Sequence, residues 1–161
     1  MVTITPIPVG HPDAAAILRE YIDDIASRYF GRQATDAEID QALADEPSGH
    51  LNPPTGLFLL AIVDGKAAGC VGVKVVDDRT TELTRLFVKP AFRGQGCGEE
   101  LLRAAENEAR ALGAAVMRLD TRTDLVEARA LYAKHGYRET DHYTEGPYVD
   151  HCFEKLLSGQ V

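Results

Sequence analysis

The segment Arg93-Gly94-Gln95-Gly96-Cys97-Gly98 is the part of this 161-residue chain whose residue types and spacing best suit chemistry. It places three glycines within five residues and an arginine at the leading edge. The residues after it, Gly96 to Leu112, carry Leu101, Leu102, Ala105, Ala109 and Leu112 at helical spacing, with Gly113 as a stop. A glycine-rich turn that opens a helix lets several backbone N–H groups converge on one anion, helped by the helix dipole. Arg93 adds a cation at the rim. The loop therefore reads as a phosphate cradle. It does not match the two commonest cradles. A Walker A loop ends in Gly-Lys-Ser/Thr, whereas Glu99-Glu100 follow Gly98 here. A Rossmann fingerprint needs a third glycine where Glu99 stands. On its own residues the loop leaves a ligand-free glycine turn as the competing reading.

The elements that must hold this loop are legible from periodicity and turn residues. Val2 to Pro8 reads as a short edge strand, and its prolines suit an edge. Pro12 to Tyr29 has helical apolar spacing. Thr35 and Glu38 predict a capping box for a helix over Asp36 to Ala44. Asp45 to Gly56, rich in proline and glycine, predicts an irregular loop. Leu57 to Val63, Ala67 to Val76 and Thr81 to Val88 predict a meander, with Asp64-Gly65 as its first hairpin turn and Asp77-Asp78-Arg79 as its second. The helix from Gly96 to Leu112 leads to a strand at Val116 to Thr121, parallel to Thr81–Val88 because a crossover joins them. Asp124 to His135 predicts a helix with Asp124 and Glu127 as a capping box; Tyr137 to Tyr143 and Val149 to Leu157 predict two last strands. The order is β-α-α-β-β-β-α-β-α-β-β. The expected fold class is α/β (α+β): one domain over residues 1–161, with a mixed, mostly antiparallel central sheet of six to seven strands flanked by helices.

Two stretches resemble a known family. Glu82-Leu83-Thr84-Arg85-Leu86-Phe87-Val88-Lys89-Pro90, followed by Arg93 to Gly98 and Leu101-Leu102, resembles the central motif of the GNAT family of N-acetyltransferases. The family pattern Arg/Gln-x-x-Gly-x-Gly/Ala is met by Arg93, Gly96 and Gly98. Ala128-Arg129-Ala130-Leu131-Tyr132-Ala133-Lys134-His135-Gly136-Tyr137 resembles the second motif, Ala-x-x-Leu-Tyr-x-x-x-Gly-Phe/Tyr. The element order is similar too.

The resemblance implies acyl transfer from acetyl-CoA, bound as a cosubstrate where the fourth and fifth strands splay apart. Backbone groups of Leu86 and Val88, with Phe87 between them, would hold the pantetheine arm like an added strand. The amides of Arg93, Gly94, Gln95, Gly96, Cys97 and Gly98 would hold the pyrophosphate. Tyr132 stands at the family's tyrosine position and would protonate the leaving thiolate. Glu82 stands where several members carry a catalytic glutamate, and strict alternation would put it on one face with Thr84, Leu86 and Val88. Such chemistry needs a base for the amine, donors for the oxyanion and an acid for the sulfur. The sequence departs from the family at Leu125, where many members carry Asn; Asp124 is the residue that could replace its contact to the CoA arm. Asp120 and Tyr148 are further polar candidates. Cys97 reads as a small filler, although a helix N-terminus can lower a thiol pKa.

Composition narrows the partners. The net charge is −8 and the sequence pI is near 5.1, with no cluster of lysine and arginine among aromatics, so nucleic acid is not expected. No apolar run approaches the ~20 residues of a membrane span, and Met1 to Gly10 lacks a signal-peptide layout, so a cytoplasmic protein is expected. Cys70, Cys97 and Cys152 fit reduced thiols, and no cysteine or histidine spacing predicts a metal. The expected acceptor is a small-molecule primary amine, walled by Tyr21, Tyr29, Phe30, Tyr143, Tyr148 and Asp150; a homodimer is compatible with all of this. The alternatives are a CoA-binding module without turnover and a transferase for protein or peptide amines.

Overall fold

Among the described residues, eleven strands and helices form in the order expected. The computed structural model describes residues 1–157. Strands and helices alternate as β1 (Val2–Pro6), α1 (Pro12–Phe30), α2 (Asp36–Asp45), β2 (Gly56–Val63), β3 (Lys66–Val75), β4 (Thr80–Val88), α3 (Cys97–Ala111), β5 (Val116–Thr121), α4 (Val126–Lys134), β6 (Arg138–Thr140) and β7 (His151–Leu156). A 3-10 turn at Pro90–Phe92 precedes α3. The capping box of α2 closes in both directions: Glu38 N–H donates to Thr35 Oγ1 at 3.1 Å, and Thr35 N–H donates to Glu38 Oε1 at 2.9 Å. Asp64 and Gly65 both take positive φ, 52° and 76°, as a two-residue hairpin turn of the primed type demands.

The seven strands make one sheet in the order β1-β2-β3-β4-β5-β7-β6. Every pairing is antiparallel except β4 with β5. β2 is apolar on both faces because both are covered. Leu59, Ala61, Val71, Val73, Leu83, Met117 and Leu119 pack under α3 and α4, against Leu101, Leu102, Ala105, Ala109 and Tyr132. Phe58, Leu60, Cys70 and Phe87 pack on the other face against Ala14, Ile17 and Leu18 of α1 and against Leu51.

Two irregularities mark β4. The β4–β5 pairing covers only Thr80 to Glu82 against Val116 to Arg118. Beyond that point the strands separate, and the edge of β4 from Leu83 to Val88 that faces β5 carries no ladder. The second irregularity is a bulge. Thr84 lies opposite Gly72 and Phe87 opposite Cys70, so two residues of β4, Arg85 and Leu86, face one of β3. Arg85 sits at φ 56°, a left-handed conformation that costs a non-glycine residue about 1–3 kcal/mol. The extra residue reverses the alternation. Leu86 and Val88 point to the α3 side with Leu83, while Phe87 points to the α1 side. Strict alternation from Glu82 to Val88 is therefore corrected: Glu82 does not share a face with Leu86 and Val88.

Three further boundaries differ from expectation. β1 ends at Pro6, and the last hairpin keeps only Arg138–Thr140 and His151–Leu156. α4 starts at Val126, with Leu125 as N-cap and no side-chain cap. The capping box expected of Asp124 and Glu127 does not form, because Arg122 Nε and one terminal guanidinium nitrogen each donate to the Asp124 carboxylate at 2.8 Å. A two-pronged charged hydrogen bond outcompetes one backbone N–H.

One polar cluster ties α3 to the end of the sheet. Glu106, 5% exposed, accepts from the Tyr137 hydroxyl at 2.8 Å and from Lys155 Nζ at 2.9 and 3.1 Å. Replacing Glu106 with Ala strands a phenol and an ammonium away from full solvation. The expected loss is about 2–3 kcal/mol, read from the urea midpoint. A loss below about 0.5 kcal/mol would show that water replaces the carboxylate freely.

Candidate active site

A cleft of about 1120 Å³ runs through the gap between β4 and β5. Leu125, Ala128, Leu131 and Tyr132 of the α4 side line one part, and Tyr21, Ile25 and Glu46 of the α1–α2 side line another. The loop Arg93 to Gly98 forms one end. α1 crosses the opening and is pinned there by ion pairs: Glu20 to Lys89 at 3.0 Å, Asp24 to Arg93 at 3.9 Å and Arg28 to Glu127 at 2.6 Å.

The loop owes its path to two glycines and its fit to a third. Gly94 and Gly96 take φ of 79° and 83°, and Gly96 caps α3 without any side-chain acceptor for the first N–H groups. Those amides have no partner within the helix, and Gly96, Cys97 and Gly98 line the cleft. Gly98 serves a different need: a Cβ there would lie 3.3 Å from Leu131 Cδ2, so the glycine lets α3 approach α4. Arg93 Nε donates to the Val88 carbonyl at 3.1 Å, which holds the guanidinium beside the open edge of β4. Cys97 is 1% exposed and packs with Val63 and Ala68. Burial pushes its thiol pKa up rather than down, so it fills space. Glu99 pairs with Lys134, which lowers its pKa, and fastens the start of α3 to the end of α4.

Of the residues expected to hold a cosubstrate, Leu86, Phe87, Val88, Arg93, Gly94, Gly96, Cys97 and Gly98 line the cleft, whereas Gln95 and Asp124 do not. Asp124 is occupied by Arg122, so it cannot stand in for the absent Asn; Leu125 presents an apolar surface instead.

Tyr132 is 6% exposed, lines the cleft and packs on Tyr137 with ring centroids 5.7 Å apart. Its hydroxyl has no protein partner among the described residues. Burial raises its pKa above the ordinary phenol value, with Tyr21 and Asp120 adding to the effect, so its proton is retained. Glu82 also lines the cleft, but Arg118 Nε donates to its carboxylate at 3.2 Å. Asp120, a minor candidate by sequence, has the environment of a base. Burial raises its carboxyl pKa and the charges of Glu82 and Glu46 add to this, while a hydrogen bond from the Tyr143 hydroxyl at 3.2 Å works the other way. The Arg118 guanidinium stacks over the Tyr143 ring at 4.0 Å. A signal for this was present: β5 alternates half-buried and buried, which puts Asp120 on the same face as Arg118. Of the expected acceptor walls, Tyr21, Tyr29, Phe30 and Tyr148 line the cleft. Tyr143 stands behind Asp120, and Asp150 instead accepts from the Thr123 N–H at 2.8 Å.

Comparison with known proteins agrees with this geometry. The model of the acetyltransferase (GNAT) family matches residues 19–137, well over half of the chain. The chain belongs to that family and is an acetyl-CoA-dependent acyltransferase by class. It is 29% identical over 157 residues to an uncharacterized N-acetyltransferase of Schizosaccharomyces pombe, covering 96% of this chain and 93% of the relative. It is 32% identical over 123 residues to the human N-acetylaspartate synthetase, covering 71% of this chain but 41% of that protein. The PaiA N-acetyltransferase of Thermoplasma acidophilum, solved in complex with coenzyme A, superposes with a TM-score of 0.77 at 23% identity, over 97% of this chain and 99% of that one; this likeness is one of fold. Among the described residues, no helix is long and apolar enough to cross a membrane, and no group of three or more His, Cys, Asp or Glu side chains could hold a metal ion.

Proposed function

We propose that this chain transfers an acetyl group from acetyl-CoA to the primary amine of a small molecule, by direct attack. The observation that carries the reading is the meeting, in one cleft, of an unladdered β4 edge, an uncapped helix start and the Tyr132 phenol. The unladdered edge of β4 at Leu86 and Val88 suits the amides of a pantetheine arm, which would add to β4 as a strand does, with the Val88 carbonyl already accepting from Arg93 Nε. The amides from Gly94 to Gly98, with Arg93, suit a pyrophosphate. Bound there, acetyl-CoA supplies an acyl carbon activated as a thioester.

The chain's own groups then move protons. The amine nitrogen bonds to the acyl carbon as the carbon–sulfur bond breaks. Asp120, a carboxyl with raised pKa in the cleft, takes the proton from the amine. Tyr132 gives its proton to the departing sulfur. Glu82 remains a second candidate base, but its ion pair with Arg118 favours a positioning role, in which Arg118 and Tyr143 fix Asp120. A small acceptor is favoured over a protein tail because α1 is pinned across the opening at Lys89, Arg93 and Glu127. A panel of small amines, peptides with free N-termini and lysine peptides, incubated with acetyl-CoA and read by free-thiol release, tests this. Turnover is expected with small amines; turnover confined to the peptides would contradict the acceptor class.

A further inference from the structure

Four lysines and arginines line the cleft: Lys74, Arg85, Arg93 and Arg122. Two have carboxylate partners, Arg93 with Asp24 at 3.9 Å and Arg122 with Asp124 at 2.8 Å. Among the described residues, Arg85 and Lys74 have none within 4.0 Å, in a chain where 25 acidic residues face 17 basic ones. Unpaired cations in a cleft are therefore not a default of composition here.

Arg85 is also held in place. One guanidinium nitrogen donates to Thr84 Oγ1 at 3.0 Å and the other to the Glu46 carbonyl at 3.3 Å. Both acceptors are neutral. A guanidinium has five N–H donors, so three remain unused. The side chain leaves the backbone at the β4 bulge, where φ is 56°. A bulge beside a cleft re-aims a side chain, and a strained non-glycine residue at such a place points to function. Lys74 lies opposite Glu82 in the β3–β4 register, but the Glu82 carboxylate is held by Arg118. His50 lines the same region, and after burial the charges of Arg85 and Lys74 are what hold its pKa down, so the three groups are neighbours. Tyr21 links this corner to the reacting end. Burial raises its phenol to about 12, and both Arg85 and Asp120 act on it electrostatically.

The geometry points to an anion subsite formed by Arg85 and Lys74, so that the acceptor is an amine whose far end carries a carboxylate or a phosphonate. The planar fork of Arg85 suits either group in two-pronged fashion. The amino group of such a molecule then lies toward Asp120, with Tyr21 as the wall between the two ends. This rests on the reading of the chain as an acetyltransferase for small amines, and it narrows the acceptor class.

The test uses the whole chain with acetyl-CoA and four amines of similar length: propylamine, 1,2-diaminoethane, 3-aminopropionate and 2-aminoethylphosphonate. The last two separate a carboxylate from a phosphonate. At least one anionic amine is expected to exceed propylamine about tenfold or more in kcat/KM, with the difference in KM. Arg85→Gln brings that preference to within about twofold, Lys74→Gln reduces it, Arg85→Lys restores part of it, and acetyl-CoA affinity stays unchanged in all three. Lys74 is exposed, so its variant folds in any case. Equal or better use of propylamine or 1,2-diaminoethane overturns the subsite, as does an equal loss for every amine in Arg85→Gln. If no amine is acetylated, the small-amine reading fails, and calorimetry with N-acetyl-2-aminoethylphosphonate and N-acetyl-3-aminopropionate in the presence of CoA decides the subsite alone. Binding lost in the two Gln variants sustains it; no binding to the unaltered chain overturns it.

Discussion

Tyr132→Phe is expected to lower kcat about 100-fold while leaving CoA affinity unchanged, the size usual for losing one general acid. The ring stays packed on Tyr137, and the lost hydroxyl has no partner to strand among the described residues, so stability should move by less than about 0.5 kcal/mol. The raised pKa of the phenol adds a pH signature. The wild-type rate should hold through the ordinary phenol value of about 10 before it falls, because the proton needed for the sulfur is kept longer. Steady-state kinetics across pH, with calorimetric CoA titration of both forms, give the answer. An unchanged kcat would remove Tyr132 from the chemistry and leave it as a packing residue that joins α4 to the sheet.

Asp120→Asn should cost activity and add stability. As the base, Asp120 must be ionised, so the wild-type rate falls as pH drops through its raised pKa. The acidic limb therefore lies above the ordinary aspartate value of about 4. The Asn variant is expected to lose about 100-fold in kcat and to lack that limb. The stability sign runs opposite. A carboxyl whose folded pKa is raised binds its proton more tightly in the native state, so its burden is absent below the unfolded pKa and grows as pH rises through the folded one. Asn carries no such burden. The variant should melt higher than wild type at neutral pH, and the gap should close in acid. A lower melting temperature at neutral pH would mean that the Tyr143 hydrogen bond outweighs burial and the nearby carboxylates. An unaltered rate would return the base to Glu82.

The element order was legible because each boundary is signalled locally. Thr35 with Glu38, Asp64-Gly65 and Gly94 to Gly98 act through neighbours in sequence, and all three take the local structure expected of them. The parallel β4–β5 pair followed from the need for a crossover. What escaped the sequence is decided by competing side chains and by partners far along the chain. Asp124 looked like a helix cap until Arg122 competed for it. The β4 bulge has no residue signature, since Arg85 is neither Gly nor Asn, and it alone moves Leu86 and Val88 to the other face. Glu82 looked available until β5 brought Arg118 beside it, and Asp120 owes its raised pKa first to burial and then to the charges of Glu82 and Glu46, which come from distant segments. Motifs thus marked residues that line one end of the cleft, whereas the groups at its other end take their environment from distant segments.

Everything proposed for the chemistry depends on CoA binding at the open β4 edge and the start of α3. Titrating the isotopically labelled protein with CoA while following its backbone amides tests that placement. Saturable shifts are expected to concentrate at Leu86 to Val88 and Gly94 to Gly98; saturable binding that leaves these amides unmoved would contradict it.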